Sequence, residues 1–132
     1  QIITHPNLNY IYNNMDTKPK SWGRPGKNAT NIQKINYSNH ITKLSKEEQD
    51  SIDIVLIDGR FRVACCLKCY DVIKDDCLIA FDDFLNRRHY HIVLKYFDII
   101  EKTPDNRMVI LKKKKNVNIP KEIIEKYELI QD

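Results

Sequence analysis

Glycine is nearly missing from this chain. Three occur in 132 residues, at positions 23, 26 and 59, and no G-x-G is present. That excludes the Gly-rich turns that cradle phosphates and dinucleotides. No apolar run approaches the ~20 residues of a membrane span, and no signal-peptide pattern opens the sequence, so no membrane partner is expected. Neither sign of charge dominates: 22 basic residues face 18 acidic ones, for a net +4. This permits weak attraction to an anion but does not describe a nucleic-acid surface. The densest basic run, residues 112–115, reads as a solvated strand end. No internal repeat occurs.

What is present begins with four cysteines, Cys65, Cys66, Cys69 and Cys77, crowded into one segment. They do not spread as a disulfide framework, which points to a reducing, cytoplasmic setting. A structural zinc site wants more than one C-x-x-C pair, so these residues read as small hydrophobes on a helix. The length suits a single domain, residues 1–132, able to bury a core without staples.

The clearest element is Ile54-Val55-Leu56-Ile57, followed by Asp58, Gly59, Arg60, Phe61 and Arg62. A continuous apolar run fits a central strand buried on both faces of a parallel sheet. The polar residues just past its carboxyl end then mark the lip of a site. Upstream, residues 8–15 alternate partly and read as a strand. Residues 18–28 hold two prolines and two glycines and read as a long loop, in which Trp22 is expected to pack on something. Residues 31–44 carry no firm assignment. Ser45 and Glu48 form a capping box.

Downstream, residues 61–73 read as a helix, and 77–81 as a strand that again ends on carboxylates, Asp82 and Asp83. Residues 89–96 suggest a short helix. Residues 97–102 and 107–113 form a β-hairpin around Thr103-Pro104-Asp105-Asn106. A last helix starts near Pro120, capped by Asn118 or Ile119, with Ile123, Ile124, Tyr127 and Ile130 as its stripe. Alternating β and α elements predict an α/β fold with a parallel sheet, made mixed by the antiparallel hairpin.

The motifs resemble those of a class I S-adenosylmethionine-dependent methyltransferase-like family. Residues 54–65 are similar to that family's "LVDGRFRVAC" string. Asp16, with Trp22-Gly23-Arg24-Pro25, is similar to its "D-x-G-P-T-x-x-W-G" loop. Asp82-Asp83-Phe84 with Arg88-His89-Tyr90-His91 is similar to "DDY…RPHYHVV", and Arg107-Met108-Val109-Ile110 to "RMAVF". The resemblance covers residues 7–113 and leaves 116–132 as a helical extension. It implies a Rossmann-like three-layer α/β sandwich with an antiparallel strand beside the last parallel one. The family's first strand, its Gly-rich turn and its ribose-gripping second strand have no counterpart here. The fold is therefore expected to be truncated on its amino-terminal side. A missing N-terminal segment or a second copy would complete the sheet, or residues 8–15 would pair directly with 54–57.

The resemblance implies S-adenosylmethionine as cofactor, with Asp16 and Trp22 on its adenine side. Trp22 is equally readable as a plug under its loop. Asp58, Asp82 and Asp83 at neighbouring strand ends would crowd like charges, which calls for a cation such as Mg²⁺. The alternative is that they cap turns or pair with Arg60 or Arg87. His89 and His91 are candidate general bases, two residues apart and so not both facing the site. With Asp58 and Asp82 they make up the candidate catalytic set. Arg60, Arg62, Arg88 and Tyr90 are candidates for binding substrate. Two functions follow: O-methyl transfer to a saccharide or other small hydroxyl acceptor, or a catalytically inactive methyltransferase-like domain that binds a ligand or partner.

Overall fold

The computed structural model describes residues 5–132. Residues 1–4 of the expected single domain lie outside it, and the expected strand at 8–15 lies within it. Chain order runs α1 (Asn31–Asn39), α2 (Lys46–Asp50), β1 (Ile54–Ile57), α3 (Arg62–Cys69), β2 (Leu78–Asp82), β3 (Phe97–Lys102), β4 (Met108–Lys113) and α4 (Lys121–Tyr127). Two 3-10 segments, His40–Lys43 and Arg88–Lys95, lie between these elements.

The sheet order is β1-β2-β4-β3. β1 and β2 pair in parallel, with Ile54 opposite Leu78 and Ile57 opposite Phe81. β4 runs antiparallel to both β2 and β3. The last strand has thus inserted between the parallel pair and its own hairpin partner, as the resemblance implied. Period-2 alternation sends Ile57, Ile79, Phe81, Phe97, Val109 and Leu111 to one face. There they join Val63, Cys66 and Leu67 of α3, with Phe84, Tyr90 and Val93, in one core. Phe81 lies at the centre, with ring centroids 5.0 Å from Phe84 and 5.1 Å from Tyr90.

α3 is buried on nearly all sides, including its two charged residues Arg62 and Lys68. Lys68 is satisfied: its ammonium donates to Ser38 Oγ (2.8 Å), Asn39 Oδ1 (2.6 Å) and Glu128 Oε2 (2.8 Å). Three acceptors match its three donors. This one side chain ties α1, α3 and the end of α4 together. Residues 31–39 become helical because Thr30 and Gln33 build a reciprocal capping box, and Ser45 with Glu48 builds the expected one. α4 is capped at Pro120, with no side-chain cap from Asn118 or Ile119.

Two expectations about β1 and its partner need correction. Residues 8–15 form no strand: Leu8, Tyr10, Ile11 and Tyr12 are exposed, and only Met15 is buried. With no sheet edge beside it, a partly alternating segment has nothing to pair its backbone with. β1 is not central either. It is an edge strand of the described sheet, and Ile54 and Leu56 are 58% and 64% exposed. Among the described residues, no helix is long and apolar enough to cross a membrane.

The two faces of the sheet should respond differently to truncation. Phe81→Ala is expected to cost about 3–5 kcal/mol in urea unfolding, whereas Leu56→Ala should stay within about 0.5 kcal/mol. A Leu56→Ala loss as large as the core value would mean that this face is covered.

Candidate functional site

The polar ends of β1 and β2 are held by one buried guanidinium. Arg62 donates from Nε to the Gly59 carbonyl (2.9 Å) and from Nη1 to the Asp82 carbonyl (2.9 Å). Its Nη2 lies 3.4 Å from Asp58 Oδ1, and its Nη1 lies 3.6 Å from Asp83 Oδ2. The planar fork thereby joins both strand ends while itself almost fully buried. Each strand end is followed by a non-glycine residue in the left-handed region: Phe61 at φ 52° and Asp83 at φ 55°. Such backbone is costly and persists only where its surroundings enforce it. For Phe61 that enforcement is complete burial and packing against Tyr37, 5.6 Å between centroids. Gly59 is needed for a different reason. A Cβ there would come within 2.4 Å of the Tyr37 hydroxyl, which also accepts from the Arg60 N–H.

The acids expected to meet a cation meet arginines. Asp82, almost fully buried, accepts from Arg107 through both oxygens (3.2 and 3.3 Å). Asp83 accepts from Arg87 (3.1 Å) and lies 3.6 Å from Arg107. The three carboxylates are brought together, but not as a metal-ligand set. Among the described residues no group of three His, Cys, Asp or Glu side chains is arranged to hold an ion. The interleaved guanidiniums answer the like-charge crowding that a cation would otherwise relieve.

These side chains line a cleft of about 790 Å³. Five arginines (Arg24, Arg60, Arg62, Arg87 and Arg107) border it, against the carboxylates Asp58, Asp83 and Asp132, so the balance favours an anion. His89 is exposed and reaches the cleft wall. His91 does not: its Nε2 lies 3.0 Å from the Phe84 carbonyl, and its ring stacks on Phe84 at 4.9 Å. The two histidines part as their spacing requires. Tyr90 is buried behind the cleft, its hydroxyl accepting from Arg87 (3.0 Å). Burial raises its pKa, with the Arg87 bond opposing. Arg88 is exposed and is not among the cleft residues.

The loop residues are placed otherwise than expected. Trp22 is 87% exposed and plugs nothing; its carbonyl instead accepts two bonds from Arg60, at 3.0 and 2.7 Å. Asp16 turns onto its own loop, facing Lys18 (3.3 Å) and the Asn28 N–H (3.4 Å). Arg24, Arg107 and Asp132 were not singled out as binding residues from sequence. Arg107 had a signal: it precedes β4, whose register sets Met108 opposite Asp82. Asp132 had none.

The site that the resemblance implied for S-adenosylmethionine is not assembled among the described residues. The carboxylate expected near adenine is turned inward, and β1 has no described neighbour on its open side to carry a turn for the methionine end.

Two measurements check the site. Arg62→Met should destabilise by about 3–5 kcal/mol, because it strands buried acceptors and carboxylates; a neutral result in thermal or urea unfolding would remove Arg62 from its central role. Burial pushes the Cys65 thiol up to about 12 and raises Cys66, Cys69 and Cys77 as well. Iodoacetamide at pH 8 should therefore leave the buried Cys66, Cys69 and Cys77 unmodified until urea is added, with native labelling confined to the half-buried Cys65; rapid labelling of more than one thiol would contradict the burial of the other three.

No family model and no curated protein matches the chain. A solved structure does: a methyltransferase-like protein from Silicibacter pomeroyi, with a TM-score of 0.72 and 22% identity. The match covers 92% of this chain and 61% of that protein, so this chain spans less than two thirds of its neighbour's length. At this identity the likeness establishes the fold: a mixed α/β, methyltransferase-like architecture.

Proposed function

We propose that this chain is a methyltransferase-like binding domain whose cleft at the carboxyl ends of β1 and β2 takes a small anionic molecule. The observation that carries this reading is the arginine excess around the cleft. Arg107 is 64% exposed at its side chain while anchored on Asp82, so it is oriented and still open to a ligand. Arginine held in this way presents a fork that suits carboxylate or phosphate oxygens. His89 on the same wall adds a group able to donate to an anion when protonated.

A second reading has its own support. The open edge of β1, with exposed Ile54 and Leu56, suits an assembly in which further strands complete the sheet. Methyl transfer from S-adenosylmethionine to a saccharide or other hydroxyl acceptor belongs to such an assembly, with Asp58 or His89 beside the acceptor. The described chain by itself does not supply that cofactor site.

Titration calorimetry on the 132-residue chain separates the readings. Malonate or phosphate should bind with an affinity that falls as salt rises, and neutral malonamide should not bind. S-adenosylmethionine should give no heat at ~1 mM, with or without Mg²⁺. Equal binding of malonamide and malonate would remove the anion site. Low-micromolar binding of S-adenosylmethionine would overturn the binding-domain reading and favour the transferase reading for the chain alone.

A further inference from the structure

The segment after α4 returns to the cleft and puts an acid into it. Glu128 is tied to Lys68, and from there residues 129–132 run to the cleft wall, where Asp132 stands beside Arg60, Arg62 and Arg87. The segment's hold is light. Leu129 and Ile130 stay 42% and 39% exposed. Its described backbone bonds are Ile130 N–H to the Tyr127 carbonyl (3.2 Å) and Arg60 Nη1 to the Asp132 carbonyl (2.8 Å).

The Asp132 side chain is unlike the other acids of the site. Both of its oxygens are shut off from solvent, and neither finds a hydrogen-bond partner among the described residues. Burial raises its pKa; the Tyr90 hydroxyl, the Arg62 charge and backbone N–H, and His89 oppose that, although none of them meets hydrogen-bond geometry to the carboxylate. Asp58, Asp82 and Asp83 all have arginine partners. A buried carboxylate without a good bond is a costly arrangement. It is a poorly fitted occupant in surroundings that otherwise suit it. Arg62 and Arg87 each lie 5.8 Å from the Tyr90 ring centroid, and Arg87 also donates to the Tyr90 hydroxyl.

We propose that Arg60, Arg62, Arg87 and Tyr90 form a seat for a ligand carboxylate, and that the Asp132 side chain is its built-in, displaceable occupant. This rests on the reading of the cleft as an anion site and names the anion's chemistry. The group lodged there is itself a side-chain carboxylate, and that observation favours carboxylate over phosphate. The segment 129–132 then acts as a strap that a carboxylate-bearing small molecule must lift.

The test compares the full chain with Asp132→Ala and Asp132→Asn, titrated with malonate and, separately, with phosphate. Removing a competitor that occupies the seat nine-tenths of the time tightens apparent binding about tenfold. Asp132→Ala should show that gain for malonate, and Asp132→Asn, which keeps the shape without the charge, a smaller one. Adding Arg87→Gln to Asp132→Ala should abolish the gain. Unchanged malonate affinity in Asp132→Ala, with malonate still bound, would overturn the strap and leave the anion cleft standing. Failure of every variant to bind either anion would overturn the cleft itself. Tighter phosphate than malonate in Asp132→Ala would overturn the carboxylate assignment.

Discussion

The buried guanidinium of Arg62 is the interaction on which the site depends. It sits at the first turn of α3 and bonds to carbonyls at the ends of β1 and β2. Without it, two carbonyls and two carboxylates would face one another across the top of a parallel pair. Those groups are too close to water-poor packing to be left unpaired. The left-handed Phe61 and Asp83 are part of the same arrangement, since each turns the chain sharply after its strand and brings an acid or the helix start within reach of Arg62. Strain, charge pairing and helix entry are thus one local solution.

That solution determines what the cleft can recognise. Each acid at the strand ends has an arginine, so the carboxylates are neutralised in place rather than offered to a cation. What remains available is positive: the outer faces of Arg87 and Arg107, with Arg24 nearby. The acids that the sequence suggested for metal binding are therefore paired with arginines, because topology interleaves the two.

Much of the fold was legible. The apolar run at 54–57, the carboxylate-ended strand after α3 and the hairpin about Thr103-Pro104-Asp105-Asn106 all carry local signals, and all three elements form. The errors share a cause. Residues 8–15 and 54–57 have strand-like patterns, but whether a strand is paired, central or at an edge depends on neighbours that periodicity does not report. His91 was indistinguishable from His89 until the 3-10 segment Arg88–Lys95 turned one toward the cleft and the other onto Phe84. Trp22 broke the expectation that a lone tryptophan is packed, because its backbone carbonyl rather than its ring makes the long-range contact with Arg60.

The sequence by itself determined the local elements, the crowded acids and arginines past two strands, and the lack of any Gly-rich turn for a cofactor. These follow from short-range chemistry: side-chain alternation, capping and turn residues act over a few positions. Only the tertiary structure decided that Arg107, just before β4, meets Asp82, that β1 lies at an edge of the described sheet, and that Asp132 reaches the cleft lined by Arg62, 70 residues away in the chain. Those contacts join groups whose separation along the chain hides them, and their pairing is settled by which faces are buried together.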